Sequence, residues 1–246
     1  MCRMVKNIGK TLLVLPVAIA PFLSQMSVGR IDASVTGLFI GAVFGRITEG
    51  DMSSLVIVIG KLAYLLLFHL LFGSYISGHF TNMPSYYFSR IPHRCVWFGK
   101  QCFYLFCYAV WYALLFLGGS LWGCCMISLE KPGRETWRCF FITYAVCVSL
   151  LLLTTLIINL GIIVWKTAVG FSVCWIGIIV MEIIAKATLN NPCISFINPM
   201  SYSGVWDMSF GQVLIKIVYL YFGAVSVSVY GMVFFKKYDI TLREVD

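Results

Sequence analysis

Residues 139–165 read CFFITYAVCVSLLLLTTLIINLGIIVW, and none of them is Asp, Glu, Lys or Arg. Arg138 and Lys166 close the run at its two ends. A helix rises ~1.5 Å per residue, so ~20 apolar residues cross a hydrocarbon core ~30 Å thick. Further uncharged runs separate Lys10 from Arg30, Lys61 from Arg90, Lys100 from Glu130 and Lys216 from Lys236, with a shorter one between Lys166 and Glu182. The sequence therefore predicts an all-α, polytopic membrane protein with six transmembrane helices and short loops.

Composition agrees. Hydrophobic residues make up 60% of the chain and charged residues 11%, against about 25% charged in a soluble domain. Six spans and their connections use nearly all 246 residues. We expect one six-span domain over residues 1–246, with no separate soluble catalytic domain. The net charge of +8 suits Lys and Arg placed beside anionic lipid head groups, and no nucleic-acid partner is expected.

The spans are expected at Thr11–Val28, Ser54–Ile76, Cys102–Met126, Cys139–Leu160, Thr167–Ile184 and Val213–Phe235. The apolar stretch Ala33–Gly45 is too short to cross and reads as an interfacial or re-entrant piece. Asn159, Gly161 and Lys166 mark a tight connection between the fourth and fifth spans. Trp122, Trp137 and Trp206 form an interfacial belt on one side, Trp97 and Trp165 on the other. The balance of Lys and Arg favours an inside amino terminus. Six spans then put both termini in the cytoplasm of a cell expected to carry this chain in its plasma membrane.

Several chemistries lack their residues. No G-x-x-x-x-G-K-[ST] phosphate loop is present, and Gly9-Lys10, Gly60-Lys61 and Gly99-Lys100 each miss the earlier glycine. No H-E-x-x-H occurs, and His69, His79 and His93 are scattered. The ten cysteines lie mostly inside apolar runs without CxxC spacing. Cys124, Cys125 and Cys139 flank one loop, where free thiols are favoured over a bridge. No catalytic, cofactor-binding or metal-binding residue is assigned.

Three intramembrane polar residues stand out. His69 falls near the middle of the second span, where an ionisable group is costly and often functional. A neutral ring bonded to a neighbouring helix is the plainer reading. Glu182 and Lys186 follow the i, i+4 order that suits a helical ion pair.

The connection 77–101 mixes aromatic with basic residues and contains no acid. Pro84 suits the first turn of a short helix, and Pro92 ends it by restricting Ile91. It reads either as an amphipathic segment lying on lipid or as a cytoplasmic knob that docks on a partner.

Three motifs carry a resemblance. Ser89-Arg90-Ile91-Pro92-His93-Arg94-Cys95-Val96-Trp97-Phe98-Gly99-Lys100 leads into the third span. Asn198-Pro199-Met200-Ser201-Tyr202 precedes the last. Tyr230-Gly231-Met232-Val233-Phe234-Phe235-Lys236-Lys237-Tyr238-Asp239-Ile240 closes the chain's final helix. In these and in layout the chain resembles type-2 ATP-binding-cassette permeases, and is similar to the small six-span permeases of bacteriocin and lantibiotic immunity exporters. It departs in its short lead-in before Thr11 and in lacking the Glu-x-x-x-Gly-Thr element around His79–Met83.

The resemblance implies an exporter of amphipathic or hydrophobic substrates, antimicrobial peptides among them. ATP and Mg would be bound by separate cytoplasmic ATPase subunits, and a second permease, identical or related, would complete the assembly. It implies a coupling segment between spans two and three, with Pro84, Tyr86, Tyr87, Phe88, Arg90, Ile91 and Arg94 facing the ATPase. A secondary carrier or a non-transporting membrane scaffold is the alternative, and a membrane enzyme ranks third.

Overall fold

The computed structural model describes residues 9–16, 18, 34–44, 53–81, 93–128, 131–188, 191–201 and 210–237. The regular elements among them are all helical: α1 Val35–Phe44, α2 Ser53–Phe72, α3 Gly78–Thr81, α4 Arg94–Ser128, α5 Arg134–Trp165, α6 Thr167–Ala187, α7 Pro192–Ile197 and α8 Phe210–Lys237.

Four of these contain stretches long and apolar enough to cross a membrane: Arg94–Met126, Arg134–Trp165, Thr167–Ala185 and Gly211–Phe235. They are compatible with a multi-pass membrane protein. Most of the expected first span, Thr11–Val28, lies outside the described residues. In the second, Leu62–Phe72 is a shorter apolar helix, and α2 stops at Phe72, four residues before the expected end.

α5 is the centre of the bundle. In its most apolar window 83% of residues are buried, against 22% in α6 and in α8. α1, α2, α4, α6 and α8 all pack on it. Leu, Ile and Val on every side of its sequence leave no polar face to turn outward, which is the pattern of a helix surrounded by others. α6 and α8 keep apolar outer faces, with Ile176, Ile183, Leu214 and Phe222 exposed. Such surfaces suit lipid, where apolar side chains meet apolar tails.

α5 and α6 are joined through Lys166 alone. It has φ 72° and ψ 161°, a region normally kept for glycine. The two helices then touch backbone to backbone. A Cβ on Gly170 would fall against the Gly161 carbonyl and Ile162 Cα, and one on Gly161 would meet Cys174 Sγ at 2.7 Å. Small residues permit this approach, and the contact area replaces the hydrophobic drive that lipid cannot supply.

α4 has 35 residues, about 52 Å at ~1.5 Å per residue, far beyond one hydrocarbon thickness. It begins at Arg94, eight residues ahead of the expected span. Tyr112 Oη donates to the Tyr64 carbonyl at 2.9 Å and ties α4 to α2. Phe72 stacks on Tyr108 at 4.7 Å.

Of the expected interfacial or re-entrant piece, Ala33–Gly45, the described part is α1, which packs on α4 and α5. Phe39 is fully buried and 6.1 Å from the Phe140 ring. The Thr36 and Thr136 hydroxyls bond at 2.8 Å. The nine described cysteines are free thiols, Cys124, Cys125 and Cys139 among them. Trp122, Trp137 and Trp165 are exposed as a belt requires, but Trp97 is buried, its ring 5.5 Å from His79.

Two glycines of α6 give a controlled test of the hairpin. Gly170→Ala forces backbone apart and should lower stability by about 1–3 kcal/mol. Gly177→Ala meets nothing within 4 Å and should be neutral or gain up to about 1 kcal/mol of helix propensity. Thermal unfolding in detergent reads the difference.

Candidate functional site

The buried polar side chains gather along α5 and the elements it faces. Thr143, Ser149, Thr154, Thr155 and Asn159 are buried on α5, His69 and Ser77 opposite, and Glu182 on α6.

Asn159 uses its whole hydrogen-bonding capacity. Its Oδ1 accepts from the backbone N–H of Ile76 at 2.8 Å and of Ser77 at 3.2 Å. Its Nδ2 donates to the carbonyls of Phe72 at 3.2 Å and Thr155 at 2.9 Å. Phe72 ends α2, and Gly73–Ser77 form turns. Gly-Ser is a poor continuation for a helix, and each amide freed by the break needs a partner. Asn159 supplies it from the neighbouring helix. In the sequence this residue marked the connection after the fourth span; in the structure it sits well inside α5. Its signal was an amide within an uncharged run, a position where lipid could not solvate it.

His69 lies one turn before the break. Its Nε2 is 2.9 Å from Thr154 Oγ1, and Thr154 Oγ1 donates to the Leu150 carbonyl at 2.8 Å. The imidazole is 5.4 Å from the Trp175 ring of α6, edge to face. His69 Nδ1, Trp175 Nε1, Thr155 Oγ1 and Ser77 Oγ are buried and have no hydrogen-bond partner. The side chain the sequence placed mid-span is thus buried and held by a neighbouring helix.

A second polar group closes the far end of α6 and the start of α8. Asn198 Nδ2 donates to the Met181 carbonyl at 2.7 Å, and its Oδ1 accepts from Met200 N–H at 2.9 Å. The Lys216 ammonium, fully buried, donates to the Ser201 carbonyl. Asn198 of the expected Asn-Pro-x-x-Tyr element therefore pins α7 and the following turn to α6. Lys216 is a buried cation that no sequence motif marked. Glu182 is buried on α6, whereas the Lys186 side chain is outside the described residues.

Of the expected coupling residues, Pro84, Tyr86, Tyr87, Phe88, Arg90 and Ile91 lie outside the described residues. Arg94 opens α4. Just beyond it α4 grips the end of α8. Cys95 Sγ donates to the Met232 carbonyl at 3.4 Å. The fully buried Phe98 lies 4.8 Å from the Phe235 ring, and its own ring occupies the space a Gly231 side chain would fill. Among the described residues no group of three His, Cys, Asp or Glu side chains could hold a metal ion.

Comparison with family models, curated proteins and solved structures finds no match.

Asn159→Leu leaves the Ile76 and Ser77 amides and the Phe72 carbonyl buried and open. The cost should be about 3 kcal/mol, since each such group is worth ~1–3 kcal/mol. Hydrogen exchange should quicken at Ile76 and Ser77 while the amides in the middle of α4 stay protected.

Proposed function

We propose that this chain is the membrane subunit of an ATP-driven exporter. Two copies, or this chain and a related partner, assemble with two cytoplasmic ATPase subunits that bind ATP and Mg. In this reading six spans cross the plasma membrane, both termini face the cytoplasm, and the segment Pro84–Arg94 docks on the ATPase. The cargo is amphipathic or hydrophobic, with antimicrobial peptides as the favoured class.

The observation that carries the reading is the clasp at the start of α4. The docking segment runs directly into a helix about 52 Å long, which extends past a hydrocarbon core of ~30 Å. A stiff helix carries a displacement at one end to its whole length. Phe98 sits where Gly231 has no side chain, so α8 must follow α4. Closure of the ATPase dimer would thus reach two spans through one contact. Each docked state has to bind the segment differently, because a ligand shifts an equilibrium only by its differential affinity.

The interruption of α2 beside His69 favours a second reading. Secondary carriers place their sites at such broken helices. The two are separated by the ATPase.

Tyr87→Ala with Phe88→Ala should abolish co-purification of the ATPase from detergent and with it transport. Gly231→Leu drives a side chain into Phe98. It should leave the ATPase bound but lower transport per ATP hydrolysed by about tenfold. Retention of the ATPase by the double variant, with transport intact, removes the docking role.

A further inference from the structure

The first turns of α5 have two faces. Thr136 and Phe140 point inward and are buried. The Thr136 hydroxyl bonds that of Thr36, and the Phe140 ring lies 6.1 Å from Phe39, both on α1. Arg134, Trp137, Arg138 and Phe141 are exposed. They follow i, i+3, i+4 and i+7, the spacing of one helical face. Phe141 is 62% exposed, on a helix whose most apolar window is 83% buried. Lys131, just before α5, is exposed as well. An otherwise enclosed helix therefore opens one face at this end, and that face is basic and aromatic.

Its level in the membrane follows from the length of α5. Arg138 lies twenty-eight residues before Lys166, about 42 Å at ~1.5 Å per residue. A bilayer with its head groups is about 40–45 Å thick. With the Lys166 turn at one surface, Arg138 reaches the phosphates of the other. Arg134 stands one turn, about 6 Å, further out, and Phe141 about 4 Å further in.

The side chains suit those layers. The Trp137 and Phe141 rings are 6.2 Å apart, an aromatic pair at the depth where such rings anchor a span. The two arginines beside them present planar forks of N–H donors, which fit the paired oxygens of a phosphate. Their stems can lie along apolar surface while the guanidinium groups stay in the polar layer. Glu135, exposed too, is one residue past Arg134 and so turned about 100° around the helix. Three cations against this one carboxylate leave the face positive. A zwitterionic head group brings its own cation beside the phosphate, so the face favours a lipid with net negative charge.

We propose that Lys131, Arg134 and Arg138 bind the phosphate of an anionic phospholipid, with Trp137 and Phe141 against its glycerol and the first carbons of its chains. The contact is non-covalent. It requires only that α5 crosses the bilayer, and it is independent of the energy source and of ATPase binding.

The experiment is native mass spectrometry of the full chain, released from detergent micelles with phosphatidylglycerol or phosphatidylcholine added at equal concentration. Phosphatidylglycerol should stay bound at one lipid per chain, and phosphatidylcholine should not displace it. Arg134→Gln with Arg138→Gln should weaken binding about twenty-fivefold, since each cation at a lipid surface is worth about fivefold. Trp137→Ala with Phe141→Ala should weaken it as well. Glu135→Gln removes the opposing charge and should tighten binding, a reading that stands even if the arginine variant does not fold. Lys100 is exposed near the start of α4, at the opposite surface, because α4 ends where α5 begins. Lys100→Gln should leave binding unchanged. Equal retention of the two lipids, an equal loss in Lys100→Gln, or unchanged binding in the arginine variant, as when the face serves an acidic protein instead, would overturn the proposal.

Discussion

Lipid cannot hydrogen-bond a peptide group, so a transmembrane helix can be interrupted only where another helix answers its open amides. Here that answer is the Asn159 side chain, with two bonds accepted and two donated across the break in α2. The rest of the bundle is arranged to keep it in place. α5 must run through the centre to bring Asn159 to the break, and α6, α8, α4 and α1 close around it. The same alignment sets Thr154, somewhat more than a turn away, against His69. One amide therefore decides both where α2 ends and what surrounds its histidine.

The chain treats its two sides differently. α5 buries most of its side chains against its neighbours, whereas α6 and α8 leave large apolar side chains outside. A soluble protein could not carry that much exposed Ile, Val and Phe. In lipid the same surface costs little, and the polar side chains become the groups that specify position. Packing between helices then rests on glycines and close contact, as at Gly161 with Gly170 and at Gly231 with Phe98.

Among the described residues, hydropathy found four long apolar helices but not their ends. At α6 a charged residue and a helix limit coincide, Lys166 directly preceding Thr167, whereas α8 begins at Phe210, three residues before the expected start. At α4 they do not. Arg94 and Lys100 lie inside the helix, since charge reports where lipid stops and a helix can continue beyond it. A buried, partnered His69 was legible because an ionisable group in a long apolar run has few other options. Asn159 was not, because a lone amide near the end of a run reads equally as a loop residue. Which helix it faces depends on the rotation of α5, and a helix apolar on all sides carries no periodicity to reveal it. Lys216 was missed for a related reason: at the edge of an apolar run it looks like a boundary marker, although its ammonium turns inward to a carbonyl.

The Lys166 turn has a consequence for how the chain is made. With no linker between α5 and α6, the first cannot settle across the bilayer before the second has begun to emerge from the ribosome. The pair must leave the insertion machinery together, already facing one another.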